Sequence, residues 1–112
     1  MSTAHADEAV RIRDEAGLTD QLIARATGAA PSTVREWLAH RSSPSGRRAE
    51  RVGELSAIVA RLPRVMRADY IPVWLVKPVE ALDDDKPIDV IARGDYRQVA
   101  RLIAGLEASG AV

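Results

Sequence analysis

The stretch LTDQLIARATGAAPSTVREWLAHR, from Leu18 to Arg41, decides the fold of this chain. Thr19 can cap a first short helix, and Gly28 can adopt the left-handed conformation that ends it. Pro31 suits the first turn of a second helix, where its missing N–H costs nothing. Ala24 supplies the small residue needed where two such helices touch. The pattern is typical of a helix-turn-helix within an all-α fold.

The second helix of this stretch has an inner and an outer face. Val34 and Trp37 share one side, and a rotation of 100° per residue then points Ser32 and Glu36 outward. Small polar side chains and an Arg can reach base edges in a major groove, whereas Glu36 fits there only by accepting from a cytosine amino group. The residues that we predict to contact DNA are Ser32, Thr33, Arg35, Glu36, Arg41, Arg47 and Arg48. A helical hairpin without DNA contact is the alternative.

Charge is unevenly distributed although the net charge is zero. Residues 25–67 carry nine Arg and three Glu, a net charge of +6, whereas residues 69–89 carry six acids and two Lys, a net charge of −4. A basic region beside an acidic one favours two surfaces with different partners. Solvated helix faces that merely differ in charge are the simpler explanation.

The flanking sequence predicts further helices and no strands. The 112 residues make one compact domain, or two half-sized units that share a core. We divide the chain into residues 1–62, a helix-turn-helix bundle, and residues 63–112, a smaller helical unit. The expected helices are Ala4–Ala16, without one clean apolar stripe, Arg47–Leu62, Pro72–Val76, a helix from Pro87 to Gly94, and a terminal helix capped by Asp95.

Composition and motifs exclude several classes of protein. The chain has no Cys, no apolar run near the about 20 residues of a membrane span, and no basic, apolar leader. A cytoplasmic protein is therefore expected. The sequence contains no catalytic dyad, phosphate loop or metal-ligand spacing. We therefore expect that the chain is not an enzyme and has no cofactor or metal site. The acidic run Asp83–Asp85 is interpreted as a solvated loop.

The segment Ile71–Val112 reads IPVWLVKPVEALDDDKPIDVIARGDYRQVARLIAGLEASGAV and predicts a docking surface. Trp74 suits the core or an interface anchor. Ser109–Val112 follow the terminal helix as a small, almost uncharged tail that can enter a narrow cleft. The apolar cluster from Ile71 to Val76, with Ile58 off the centre of its own helix, predicts self-association.

This stretch resembles the C-terminal part of the Xre/MbcA/ParS antitoxin family. The residues that carry the resemblance are Trp74, Leu75, Pro78, Leu82, Pro87, Ile88, Asp89, Gly94 and Val99. The resemblance implies a helix-turn-helix antitoxin that covers the NAD site of a RES-domain toxin and represses its own operon. The run Asp83–Asp85 stands where the family has a glycine, so this loop is expected to dock differently.

The resemblance and the tail together define a predicted toxin-binding surface. Its residues are Trp74, Pro87, Tyr96, Arg97, Arg101, Ser109, Gly110, Ala111 and Val112. The expected partners are a cognate RES-domain toxin, operator DNA, and further copies in a homodimer or a larger complex with toxin. The alternative is a stand-alone transcriptional regulator whose C-terminal helices dimerise or sense a ligand.

Overall fold

The structure, a computed structural model, describes residues 4–110 and is all-helical over that range. Seven α-helices follow one another along the chain: α1 (Ala4–Ala16), α2 (Asp20–Thr27), α3 (Pro31–Leu38), α4 (Gly46–Arg61), α5 (Ile71–Leu75), α6 (Pro87–Ala92) and α7 (Tyr96–Ser109). Short 3₁₀ turns occupy Leu62–Arg64, Ala68–Tyr70 and Glu80–Leu82. The predicted helices all form, with boundaries that differ by one or two residues.

The connection between α2 and α3 forms as the sequence predicts. The Thr19 side chain accepts the Leu22 amide at 3.2 Å, which caps α2. Gly28 ends α2 with φ of 77°, and Pro31 begins α3. Because each of these signals acts over four residues or fewer, the local sequence is sufficient to define this unit.

Helix α1 corrects one expectation. Its small residues do form a single stripe, because Ala6, Ala9, Ile12 and Ala16 are all buried. Their spacing of three and four residues places them on one side of the helix. The alanines allow α1 to lie close against α4 and α3.

Helix α4 is the centre of the molecule. It packs against α1 and α2 on the N-terminal side and against α6 and α7 on the C-terminal side. Val52, Leu55 and Ile58 are each at most 1% exposed. Ile58, which the sequence places off the apolar centre of this helix, is therefore buried all the same, because helices cover α4 from more than one side.

One hydrophobic core runs through both predicted units. It includes Ile23 of α2 and Val34 of α3 together with Ile88 of α6 and Ile103 of α7. The proposed boundary near residue 62 falls in the 3₁₀ turn Leu62–Arg64. The two parts of the chain thus share their apolar interior.

The apolar cluster that follows this turn is also mostly internal. Ile71, Trp74 and Leu75 are buried, and among the cluster only Val73 is largely exposed, at 51%. Less apolar surface is therefore exposed in this segment than the sequence predicts. Helix α6 and the turn Ala68–Tyr70 both pack against α5 and cover part of it.

Three arginines of the N-terminal helices hold the C-terminal ones. Arg25 of α2 binds Asp89 of α6 through two hydrogen bonds of 2.8 Å. Arg61 of α4 pairs with Glu107 of α7 at 2.6 Å. The third, Arg51 of α4, donates to the last carbonyl of α6, on Ala92, at 3.3 Å. These contacts fix the positions of α6 and α7 relative to α2 and α4.

Asp95 does not act as predicted. It precedes α7, but its side chain makes no capping hydrogen bond. Arg93 binds this carboxylate at 3.2 Å and also binds Asp85 at 2.8 Å. The backbone of Asp95, with φ of −98° and ψ of 34°, also lacks the extended conformation of an N-cap.

Candidate functional site

Helix α3 turns a polar face outward at one end of the molecule. Val34 and Trp37 anchor it in the core, as predicted. Ser32 and Arg35 are exposed, while Thr33 and Glu36 are half-buried. The side chains proposed to reach DNA are therefore close together, with part of their surface accessible.

Arg35 is held in place by the start of α2. Its Nη1 donates to Asp20 Oδ2 at 2.7 Å, and the other oxygen, Oδ1, accepts the Gln21 amide at 3.0 Å. The hydrogen bond from Arg35 is the largest cause of a lowered pKa at Asp20. Asp20 is therefore ionised at neutral pH. It was not among the residues that the sequence predicted for this site.

The remaining arginines at this end differ in their partners. Arg41 pairs with Glu36 at 3.0 Å, which explains how an acid is accommodated on this face. Arg47 and Arg48, in the first turn of α4, are exposed and form no ion pair within residues 4–110. These two guanidinium groups remain available for an anion.

A second set of predicted residues lies along α7. Arg97 and Arg101 are exposed, stand one helical turn apart, and form no ion pair within the described range. Tyr96 is half-buried and lines a shallow groove of about 550 Å³ beside α4. The two arginines give this helix a basic outer edge.

Other predicted docking residues are less accessible. Trp74 is 9% exposed, and Pro87 is buried at the start of α6. Ser109 and Gly110 are exposed, and Gly110 ends α7 with φ of 67°. Ala111 and Val112 lie outside the described residues.

Two exposed apolar side chains near α5 were not among the predicted docking residues. Val73 is 51% exposed and Tyr70 is 36% exposed, with the Lys77 ammonium 6.0 Å from the Tyr70 ring centroid. The apolar run from Ile71 to Val76 predicted an interface in this segment, but the sequence alone does not show which side chains face outward.

Several grooves lie on the surface between these sets. The grooves are open and shallow, and residues 4–110 contain no cluster of three or more acids or histidines placed to hold a metal. No helix in that range is both long and apolar enough to cross a bilayer.

The comparisons with known proteins agree in sequence and in structure. No protein-family profile matches the chain. The chain is 31% identical over 87 residues to the mycobacterial cidal antitoxin MbcA of Mycobacterium tuberculosis H37Rv and of Mycobacterium bovis. The match covers 78% of this chain and 77% of MbcA. This chain belongs to the MbcA family of antitoxins.

The comparison of folds also finds MbcA, and it covers a larger part of the chain than the sequence match does. It matches a chain of the crystal structure of the M. tuberculosis MbcT–MbcA toxin–antitoxin complex with a TM-score of 0.84 and 27% identity. The superposition covers 93% of this chain and 94% of that chain. As a member of the MbcA family, the chain therefore shares the family fold through both its N-terminal and its C-terminal helices.

Proposed function

We propose that this chain binds and neutralises a cognate toxin with its C-terminal helices and binds operator DNA with α2 and α3. Toxin binding is supported by the sequence similarity of this chain to MbcA. It is also supported by the match of its fold to a chain of the MbcT–MbcA complex.

The toxin-binding surface in this proposal centres on α7. Arg97 and Arg101 provide exposed cations, and Val73 on α5 provides an exposed apolar side chain. Trp74 and Pro87 then support this surface from inside. Ser109 is the last residue of α7 and Gly110 ends that helix, and we propose that the segment from Ser109 to Val112 covers the toxin's active site. The toxin itself is proposed to be a RES-domain enzyme that degrades NAD, as the family resemblance implies.

The DNA-binding part rests on the other end of the chain. Ser32 and Arg35 face outward from α3, and Arg47 and Arg48, which have no ion-pair partner among residues 4–110, stand at the start of α4. Arginines without protein partners suit phosphate contacts, whose strength depends on salt. Because one such helix reads few bases, we expect paired copies on a palindromic site that represses the chain's own operon. Such a protein would act in the cytoplasm.

Charge reversal separates the two activities. We expect Arg97→Glu with Arg101→Glu to weaken toxin binding by at least about tenfold, which corresponds to about 1.4 kcal/mol, while DNA binding is retained. The matched control, Arg47→Glu with Arg48→Glu, should abolish DNA binding and retain the toxin. Toxin binding is measured by calorimetry on the co-expressed partner, NAD loss by an enzymatic assay, and DNA binding by gel shift at low salt.

The outcomes distinguish the parts of the proposal. The partner for this test is the protein encoded by the gene next to that of this chain. If this protein does not bind the wild-type chain and its NAD-degrading activity is not lowered by it, the neutralisation proposal fails. Deletion of Ser109 to Val112 should leave binding nearly unchanged and release NAD degradation; full inhibition by that variant would exclude the tail as the block. A stand-alone regulator remains the second candidate if DNA binds and no toxin does.

A further inference from the structure

The salt bridge between α2 and α3 constrains how Arg35 can be used. Arg35 donates from Nη1 to Asp20 at 2.7 Å, and Asp20 is itself fixed by the Gln21 amide at 3.0 Å. The Asp20 side chain is 22% exposed, whereas that of Arg35 is 55% exposed. A fixed carboxylate near the protein surface thus orients an Arg that projects outward.

The unused edge of this guanidinium indicates the ligand. Within residues 4–110, Nε and Nη2 of Arg35 have no hydrogen-bond acceptor, so two parallel donors remain available on one edge. Guanine offers two acceptors, O6 and N7, at a spacing that suits this edge, and a bidentate Arg–guanine pair is the commonest specific contact. Restricting the side chain before binding also lowers the entropy lost when the pair forms.

A phosphate contact fits this arrangement less well. A phosphate carries a negative charge, and Asp20 would place a second negative charge beside the same guanidinium. The guanine edge is uncharged, so the carboxylate does not repel it. Arg47 and Arg48 lack such a partner within the described residues and therefore remain better suited to phosphate.

We infer that Asp20 is a positioning residue that holds Arg35 for the recognition of one guanine in each DNA half-site. This inference rests on the proposed DNA binding, and it adds the base that is read and the residue that sets the reading geometry. It also separates Arg35, which selects sequence, from Arg47 and Arg48, which supply general affinity.

The test compares base preference among variants of the full chain. DNA selected from a random library by the wild-type protein should contain a guanine whose replacement weakens binding about 5- to 150-fold. Asp20→Asn should remove most of that preference while leaving binding to mixed-sequence DNA equal or stronger, because a negative charge is lost. Arg35→Ala should remove the same preference, and Asp69→Asn, which removes the charged partner of Arg67, should leave it unchanged.

Each outcome has a defined consequence. If Asp20→Asn and Arg35→Ala lower thermal stability but keep the base preference, the ion pair only joins α2 to α3, and the inference is wrong. A uniform loss of affinity with a reduced salt slope in Arg35→Ala would assign Arg35 to phosphate and also overturn it. If the wild-type chain, alone and with toxin, selects and shifts no DNA, then the proposed DNA binding fails as well.

Discussion

At the scale of single residues, Gly94 shows how closely the C-terminal helices are fitted to α4. Its φ of 97° is a conformation that other residues rarely adopt. A Cβ at this position would also lie 2.8 Å from Nη2 of Arg51. Arg51 is constrained in turn by Glu54, at 3.1 Å, and by the carbonyl of Ala92. The glycine of the family pattern is therefore explained by packing within the chain.

Gly94→Ala should lower the free energy of unfolding by about 1–3 kcal/mol, because it combines backbone strain with displacement of Arg51. Chemical denaturation of the purified chain measures this change. Gly105→Ala is the matched control: Gly105 lies within α7, and an added Cβ there meets no atom within 4 Å. That control should raise the free energy of unfolding by about 0.5–1 kcal/mol, so a loss in both variants would contradict the explanation.

Glu107 predicts a dependence of stability on pH. The hydrogen bond from Arg61 lowers the pKa of Glu107 below its ordinary value of 4.5. Because the folded pKa lies below the unfolded one, the stabilisation is complete above pH 4.5 and is lost as the pH falls through the folded value. Glu107→Gln should therefore melt at a lower temperature than the wild type at neutral pH, and the difference should shrink in acid. A difference that grew in acid would exclude this origin.

At the scale of helices, Asp89 joins α6 to α2. The Asp of the Pro-Ile-Asp pattern, Asp89, makes both of its hydrogen bonds to Arg25, which lies 64 residues earlier in the chain. Ile88 and Val90 on either side of it are buried. The pattern thus places two apolar anchors and one ion pair on a helix of six residues, too short to be stable without tertiary contacts.

A double-mutant cycle of Arg25→Ala and Asp89→Ala should give a coupling energy of about 0.5–1 kcal/mol, since the pair is bidentate but partly exposed. The coupling should decrease with added salt. Thermal or urea unfolding provides the measurement. Arg67 and Asp69, which are 85% and 70% exposed, form the matched control pair and should give almost no coupling. Equal coupling in the two cycles would argue against a special role for the α2–α6 pair.

Sequence predicts some elements here better than others, and the range of the interactions explains why. The α2–α3 unit depends on Thr19, Gly28 and Pro31, each of which acts locally. Asp95 does not cap α7 because its backbone is not extended, and its carboxylate binds Arg93. In the Asp83–Asp85 loop, which stands where the family has a glycine, Asp83 and Asp84 adopt positive φ of 57° and 63°, a conformation open to glycine, and a difference in docking stays a prediction. Asp tolerates this conformation better than most residues.

The candidate site shows the same limit. Periodicity correctly places Val34 and Trp37 inside and Ser32 outside, while Glu36, also predicted to point outward, is half-buried. It cannot reveal the Asp20–Arg35 pair, because the two residues belong to different helices and their approach depends on the turn between them. Surface cations such as Arg97 are recognised as exposed, while what they bind remains a prediction.

At the scale of the whole molecule, the shared core predicts that the chain unfolds as one unit. The 41 × 23 × 21 Å molecule has no apolar boundary at residue 62, and α4 contributes to both sides of its core. Helix content and tryptophan fluorescence should therefore change together in one urea transition. A fragment of residues 1–62 should lose cooperative unfolding, because the surface that α6 and α7 cover is exposed. Two separate transitions in the intact chain would show that the halves fold independently.

The central position of α4 has a consequence during protein synthesis. The side of α4 that packs against α6 and α7 stays uncovered after Arg61 has been synthesised. It is covered once Ile88, Val99 and Ile103 have been added, the last of them about 40 residues later. At about 5–20 residues per second, this interval on the ribosome lasts about 2–8 s. Helix α7 packs against α4 and is made after it, so the helix that we propose to bind toxin takes its place only after α4 has formed. Under that proposal, a newly made molecule would gain toxin binding only once α7 has been synthesised.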